Sequence, residues 1–352
     1  MATQLAVLFA QRLQVPVVLT DISEMAVHRG LGLVKHQLQR QADRGRLTVE
    51  KQRGIESLIT GSADKSVFAD ADFVIEAVFE ELEVKQQVLR DIEAVVAPDA
   101  ILATNTSSLS VTEMASELQH PERLIGFHFF NPVAAMQLVE IVRTEDTNDV
   151  ALATAFQLAA DLRKSPILVK DATAFAVNRV LLRMMADVQR VFDEGSPAEV
   201  VDHAIDRFGL PMTPFELLAL VGLPVAQHVT ESLNKSFGDR FHVSKNVQAL
   251  IDNDIDRIWV NDSSEKTIPE QTAKLLKQGK KVRSSEEIED IVFTGLAEEI
   301  GLLLQEGVVS GPEEVDLGMI LGAGWPLYRG GITPFLDQEG YSQKVWGKPF
   351  HA

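Results

Sequence analysis

Short apolar runs alternate with amphipathic helical stretches through the first 170 residues. The runs cover residues 15–21, 74–80, 101–105, 124–130, 138–142 and 167–169. Such alternation is typical of a largely parallel sheet with helices on both faces. Doubly wound sheets of this kind gather polar groups at the edge where the strands end. We therefore predict an α/β, Rossmann-like doubly wound domain over residues 1–170.

After Asp171 the strand-like runs disappear and helical periodicity continues to the end of the chain. Helices are predicted over 178–192, 198–208 and 215–232. The polar stretch 252–285 indicates a connection between domains, with one helix at 270–278. The second half is therefore predicted to be all α.

An internal repeat divides this helical half. The matching elements are Glu194-Gly195 with Glu306-Gly307, Asp202 with Asp316, Gly209-Leu210-Pro211 with Gly324-Trp325-Pro326, and Thr213-Pro214-Phe215 with Thr333-Pro334-Phe335. The order is the same in both copies. We predict two related helical domains, 171–262 and 263–352, packed as a pseudo-symmetric pair.

The charge and the cysteine count exclude several classes of protein. A net charge of −18 over 352 residues makes nucleic acid an improbable partner. No run of about 18 apolar residues occurs, so no membrane span is expected. The chain has no cysteine, which rules out disulfides and thiolate metal sites. A reducing compartment, the cytoplasm, is the expected location, and no metal is expected.

One basic segment runs against the acidic trend. Residues 28–53 contain Arg29, Lys35, Arg40, Arg44, Arg46, Lys51 and Arg53, against only Asp43 and Glu50. The segment is either a solvated helix face or a contact for an anionic partner. Its composition leaves the two readings equally open.

A hydroxyl, an imidazole and a carboxylate lie at or near the ends of successive apolar runs, as Ser107, His128 and Glu140. An imidazole oriented by a carboxylate can exchange a proton near neutral pH. The alternatives are structural: a histidine in a strand can be a satisfied core residue, and Ser107 can cap a helix. Glu140 lies among apolar neighbours and needs a partner, because an unpaired buried carboxylate is costly.

Asp21 ends the first of the apolar runs. In dinucleotide-binding folds an acid at the end of the second strand bonds the adenosine ribose, about 20 residues after a Gly-x-Gly-x-x-Gly turn. Counting back from Asp21 reaches Met1 and Ala2. We therefore expect the first strand and its phosphate-binding glycines to be missing from this chain, as in a fragment or a miscalled start.

Four motifs together resemble one enzyme family. They are Asn105-Thr106-Ser107-Ser108, Gly126-Phe127-His128-Phe129-Phe130-Asn131-Pro132, Leu138-Val139-Glu140 and Val177-Asn178-Arg179. Their sequences and spacing resemble the L-3-hydroxyacyl-CoA dehydrogenases of fatty-acid β-oxidation. The resemblance runs from Met1 to about Gly340. The repeated helical domains are similar to those of the multifunctional enzymes, whose dehydrogenase region carries two tandem C-terminal domains.

This resemblance implies a role for each matching residue. His128 would take the proton of the substrate 3-hydroxyl, Glu140 would orient its ring, and hydride would pass to NAD. Ser107 and Asn178 would bond the substrate oxygens and help to place the nicotinamide. The cofactor would be held by Asp21, Glu80, Lys85 and Asn105, and coenzyme A would meet the basic segment at Arg44.

Some positions depart from the family pattern. Asp171-Ala172-Thr173-Ala174-Phe175 lacks the Pro-Gly that usually precedes this phenylalanine, and Thr213 stands where glycine is usual. One rival hypothesis is a non-catalytic acyl-CoA-binding or assembly fragment that has lost NAD binding together with the missing glycine loop. Another is a dehydrogenase of a different pathway, such as one for 3-hydroxybutyryl-CoA. A homo-oligomer, or a complex with a thiolase, is the expected assembly.

Overall fold

The computed structural model describes residues 1–262 and 265–351, and the chain divides into two compact units at Asp171/Ala172. The strands of the first unit are β1 (Val17–Leu19), β2 (Ile59–Gly61), β3 (Phe73–Glu76), β4 (Ile101–Thr104), β5 (Leu124–Phe129), β6 (Leu138–Arg143) and β7 (Ser165–Lys170). Its helices are α1 (Ala2–Leu13), α2 (Glu24–Asp43), α3 (Val49–Leu58), α4 (Leu82–Glu93), α5 (Val111–Ala115) and α6 (Asp149–Asp161), with short 3₁₀ turns at Lys65–Phe68 and Pro121–Arg123.

Five strands form the main sheet, in the order β3-β4-β5-β6-β7. Strands β3, β4 and β5 are parallel, whereas β6 runs antiparallel to β5 and β7 runs parallel to β6. The reversal has a simple cause, because only residues 130–137 connect β5 to β6. A parallel crossover needs a dozen or more residues. The sheet is thus less uniformly parallel than the alternation of runs predicts.

Strands β1 and β2 form a separate parallel pair. The sequence analysis does not identify β2, which is only three residues long and follows α3 directly. Helix α1 packs against both sheets. Leu5 and Leu8 belong to the core of the five-stranded sheet, and Ala6, Val7 and Ala10 pack with α2, α3 and their neighbours.

Helices α2 and α3 pack against each other and carry the basic segment. Ser23 caps α2 through the Ala26 amide, and Thr48 caps α3 through the Lys51 amide. Only a few positions of these helices are buried, such as Val34, Leu38 and Ile55. Most of the basic side chains are therefore directed to solvent.

The second unit is mainly helical. Its helices are α7 (Val177–Glu194), α8 (Ala198–His203), α9 (Pro214–Val221), α10 (Leu223–Phe237), α11 (Lys245–Ile251), α12 (Glu270–Leu275), α13 (Ser285–Gln305), α14 (Pro312–Ala323), α15 (Ile332–Gln338) and α16 (Tyr341–Trp346), with 3₁₀ turns at Asp206–Phe208, Gly238–Arg240 and Leu327–Arg329. Across the described parts of the chain, none of the helices is both long and hydrophobic enough to span a bilayer.

Three details of this half correct the sequence analysis. The predicted helix 215–232 is two helices, because Gly222 breaks it with φ 95°. The predicted helix 198–208 ends at His203 and is followed by a 3₁₀ turn. A short antiparallel pair, β8 (Val260–Asp262) and β9 (Glu265–Thr267), occurs where no strand is predicted. The predicted domain boundary at 262/263 lies partly outside the described residues.

The internal repeat corresponds to one contact made twice. In the first copy the Thr213 hydroxyl donates to Asp202 Oδ2 over 2.6 Å. In the second, the Thr333 hydroxyl donates to Asp316 Oδ2 over 2.5 Å. Each aspartate lies on one helix and anchors the start of the next, so the repeat has structural equivalents in both copies. The division into two helical domains stays a prediction.

A buried ion network joins α7 to α13. Glu299 accepts from Arg179 Nε at 2.6 Å, from Arg240 at 3.0 Å and from Arg183 at 3.4 Å. Arg179 also pairs with Glu306 at 2.6 Å and lies 4.3 Å above the Phe237 ring. The side chains of Arg179 and Glu299 are both fully buried. Because isolated charges cannot be buried cheaply, each group depends on the others.

Candidate active site

His128 and Glu140 face each other across the antiparallel β5–β6 pair, where they are register partners. Their side chains lie on the same face of the sheet, and His128 Nδ1 is 2.7 Å from Glu140 Oε2. Both residues are buried. An ionised carboxylate is only an acceptor, so Nδ1 carries the hydrogen and proton exchange falls to Nε2. The tertiary structure thus supplies the imidazole–carboxylate pair expected from the motifs.

Glu80 follows β3 and binds the turn that follows β4. Its Oε1 accepts hydrogen bonds from the Thr106 hydroxyl at 2.7 Å, the Ser107 amide at 2.7 Å and the Ser108 amide at 3.1 Å. The Ser107 hydroxyl also donates to this oxygen, over 3.0 Å. The 106–108 turn therefore has one carboxylate at its centre.

The electrostatics of Glu80 favour its charged form. Burial by itself would raise the pKa of Glu80, but the Lys85 ammonium and the hydrogen bonds from Thr106 and Ser107 outweigh it. The pKa of Glu80 consequently lies below its ordinary value. Glu80 is an anion at neutral pH and can only accept hydrogen bonds.

Lys85 lies on α4 and is almost completely buried. Its Nζ is 2.9 Å from Glu76 Oε1, 3.2 Å from Glu80 Oε2 and 3.5 Å from the Val78 carbonyl. The ammonium group therefore lies among protein oxygens. That Lys85 contacts a cofactor stays a prediction, as do the cofactor contacts of Glu80 and Asn105.

Asn105 connects β4 to the histidine strand. Its side-chain Oδ1 accepts a hydrogen bond from the Phe129 amide at 2.9 Å, and its own amide donates to the Glu76 carbonyl at 2.9 Å. The backbone of Phe129, next to His128, is thus hydrogen-bonded to the residue that follows β4. Ser107, Glu80 and His128 all lie at or beyond the carboxyl ends of three adjacent parallel strands.

The other predicted residues lie elsewhere. Asp21 follows β1 and is exposed, and its carboxylate accepts a hydrogen bond from the Ile22 amide at 2.7 Å. Arg44 is exposed at the C-terminal end of α2. Asn178 is the second residue of α7 and belongs to the helical unit. The roles predicted for these three residues stay predictions.

Two residues that the sequence analysis does not identify hold the loop after His128. Lys164 donates to the carbonyls of Val133 and Met136, the latter at 2.6 Å. Burial, and secondarily the charge of Arg12, lower the pKa of Lys164. Gln4 bonds the Val133 amide at 2.9 Å and Asn131 Oδ1 at 3.1 Å. These contacts span 28 to 129 residues, so no local motif indicates them.

A doubly wound sheet with a histidine–glutamate pair at its carboxyl edge is typical of the dinucleotide-dependent dehydrogenases. Comparison with known proteins agrees. Residues 1–172 match the family model "3-hydroxyacyl-CoA dehydrogenase, NAD binding domain", and residues 175–255 match "3-hydroxyacyl-CoA dehydrogenase, C-terminal domain". The chain belongs to the 3-hydroxyacyl-CoA dehydrogenase family. The resemblance drawn from the motifs and the predicted Rossmann-like fold with a helical C-terminal part are thereby confirmed.

Individual relatives add detail. The fatty acid oxidation complex subunit alpha of Idiomarina loihiensis is 34% identical over 345 residues, which cover 96% of this chain and 49% of that protein. The structure of 3-hydroxybutyryl-CoA dehydrogenase from Escherichia coli K12 matches with a TM-score of 0.80 and 25% identity, covering 99% of this chain and 93% of that one.

A second solved structure is closer in sequence. The (S)-3-hydroxybutyryl-CoA dehydrogenase of Ralstonia eutropha is 32% identical, with a TM-score of 0.67, covering 72% of this chain and 90% of that one. The chain spans about half the length of the curated relatives it matches, 49% in one and 47% in another.

Proposed function

We propose that this chain oxidises L-3-hydroxyacyl-CoA to 3-ketoacyl-CoA with NAD, as a step of fatty-acid β-oxidation. The observation that carries the proposal is the buried pair of His128 Nδ1 and Glu140 Oε2, 2.7 Å apart at the edge of the NAD-binding domain. Removing hydride from a secondary alcohol requires a base for the hydroxyl proton. His128 supplies that base.

The residues then have distinct tasks. His128 Nε2 accepts the proton of the substrate 3-hydroxyl, and Glu140 stabilises the imidazolium that forms. NAD, when bound, would supply the acceptor for the hydride of C3, which makes the alcohol a ketone and leaves NADH and one proton as the other products. Ser107 bonds the substrate oxygen and helps to hold C3 in position, and the role predicted for Asn178 stays a prediction.

The residues at the cofactor end fit NAD. Asp21 presents an exposed carboxylate at the end of β1, where the adenosine ribose hydroxyls would bind. A carboxylate there would repel the 2′-phosphate of NADP.

Binding of NADH by this 352-residue chain tests the proposal against the rival of a non-catalytic acyl-CoA-binding fragment. We expect saturable binding in the micromolar range, followed by NADH fluorescence. Asp21→Ala should weaken it by about 10- to 100-fold, since a hydrogen bond to a charged group contributes about 1.5–3 kcal/mol. Asp70→Ala, at a position with no assigned role, is the control. Absence of binding up to millimolar NADH would favour the rival.

Coenzyme A brings several phosphate charges, and the basic pair of helices α2 and α3 offers cations for them. We expect Arg44→Ala to raise the Michaelis constant for acyl-CoA more than it lowers kcat, because the contact is made equally in the ground and transition states. Steady-state kinetics with varied acyl-CoA measure this split. Arg143→Ala, outside the basic segment, should leave the Michaelis constant unchanged. A fall in kcat with an unchanged Michaelis constant would contradict the placement of Arg44.

A second candidate substrate is 3-hydroxybutyryl-CoA. The observation in its favour is the match to the Escherichia coli enzyme named for this substrate, with a TM-score of 0.80 over 99% of the chain. The two candidates share the same chemistry and differ in the length of the acyl chain. Comparing kcat/KM for C4 to C16 substrates decides between them.

Three further expectations accompany the proposal. The relative from Idiomarina loihiensis is named as the alpha subunit of a complex, which supports a partner subunit for this chain. That this partner is a thiolase stays a prediction. The division into domains 1–170, 171–262 and 263–352 is supported by the repeated aspartate–threonine contact. The cytoplasmic location and the homo-oligomer stay predictions.

A further inference from the structure

Glu76 is a buried carboxylate with no part in the proposed chemistry. It ends β3 and is 2% exposed. Its two oxygens accept hydrogen bonds from the Val78 amide at 2.6 Å, the Thr104 hydroxyl at 2.7 Å and Lys85 Nζ at 2.9 Å. A carboxylate surrounded in this way is fixed in place, and it holds the Lys85 ammonium in turn.

Lys85 passes this constraint to Glu80. Its Nζ lies between the two carboxylates, 2.9 Å from Glu76 Oε1 and 3.2 Å from Glu80 Oε2. The side chains of Lys85 and Glu76 are 1% and 0% exposed, so solvent screens their attraction very little. The other oxygen of Glu80 receives the amide and hydroxyl hydrogens of the 106–108 turn. A continuous series of hydrogen bonds and ion pairs therefore links Glu76 to Ser107.

These hydrogen bonds fix the position of Ser107. Its hydroxyl donates to Glu80 Oε1 over 3.0 Å, and its amide donates to the same oxygen over 2.7 Å. Ser107 Oγ is therefore held beyond the end of β4, where the proposed function requires a contact with the substrate oxygen.

We propose that Glu76 is a positioning residue that acts through Lys85 and Glu80 to hold the Ser107 hydroxyl in place for the substrate. The inference rests on the proposed function for its kinetic consequences. The hydrogen-bonded chain itself can be tested without any turnover.

Kinetics of Glu76→Gln provide the first test. Disturbing Ser107 should lower kcat between about 10- and 100-fold, the scale of a small displacement in a reacting complex. In a Ser107→Ala background, Glu76→Gln should change kcat less than twofold. Additive effects would overturn the proposal.

Glu93→Gln is the matched control. Glu93 is also a buried carboxylate of this unit, with a side chain 8% exposed, and it pairs with Arg123 instead of the 106–108 turn. Its replacement should leave kcat within about twofold, because the reacting geometry is not disturbed. An equal fall in kcat in both variants would show a general effect of losing a buried carboxylate, and would overturn the proposal.

Amide hydrogen exchange, measured by NMR, is the second test. The Ser107 and Ser108 amides donate to Glu80, so they should be protected in the wild type and exchange about tenfold faster in Glu76→Gln. If Glu76→Gln does not fold, Glu76→Gln/Lys85→Met removes both buried charges and should show the same loss of protection. Unchanged exchange at these amides would overturn the inference.

The two tests separate the two proposals. If the wild-type protein lacks turnover but Glu76→Gln speeds amide exchange, the proposed function fails and the inference about Glu76 stands. If the wild-type protein turns over but Glu76→Gln changes neither the kinetics nor the exchange, the proposed function stands and the inference fails.

Discussion

Replacing His128 with glutamine should lower kcat for the oxidation of 3-hydroxyacyl-CoA by about 100-fold or more, the usual contribution of a general base. Glutamine keeps the approximate size and polarity of the side chain but cannot accept a proton. The Michaelis constants should change much less, because the lost interaction belongs to the transition state. Stopped-flow or steady-state measurement of NADH formation at 340 nm, roughly the absorbance maximum of the reduced cofactor, provides the readout.

The matched control is a substitution at His120, which is exposed and lies beside Glu122, with Nδ1 3.2 Å from Oε1. His120→Gln should leave kcat unchanged. Adding Glu140→Gln to His128→Gln should cost little more, since residues that act as a unit are not additive. Turnover of His128→Gln at the wild-type rate would refute the assignment of the base.

Arg179→Met should lower the free energy of unfolding by about 3–5 kcal/mol, because it leaves the buried Glu299 without its shortest ion pair. The arginine is fully buried and touches Glu299, Glu306 and the Phe237 ring. The three tryptophans, Trp259, Trp325 and Trp346, all lie in the helical unit. Tryptophan fluorescence during urea denaturation therefore reports on the unit that contains the network.

Lys344→Met is the control for this prediction. Lys344 pairs with Asp290 at 2.6 Å, and about half of each side chain is exposed. Its loss should change stability by about 1 kcal/mol or less, the range of surface ion pairs. An Arg179→Met protein as stable as the control would show that the network does not depend on this arginine.

The main strands and the histidine–glutamate pair could be predicted from the sequence. Apolar runs of three to seven residues identified six of the seven strands in the first unit, because buried strands need such runs. Strand β2 was missed because its three residues, Ile59-Thr60-Gly61, form no apolar run. The reversal at β6 depends on the length of a loop, and the break at Gly222 depends on a single backbone angle of φ 95°.

The surroundings of the site could be predicted less well. The family motifs contain His128, Glu140 and Ser107, so they predict which groups take part in the reaction. They do not show that Glu76 and Lys85 form a pair, since a strand end and a helix face meet only after folding. Lys164 and Gln4 were missed for the same reason, because each binds a loop that is distant in the sequence.

By itself the sequence determined the kinds of elements and the chemistry they carry, because apolar periodicity and rare motifs are properties of local stretches. Only the tertiary structure decided which side chains contact one another. Register partnership across β5 and β6 places the imidazole 2.7 Å from its carboxylate, and the buried Glu76 and the partly buried Glu80 share one lysine. Such pairings depend on strand order, register and the desolvation of charges, all of which arise when distant segments pack together.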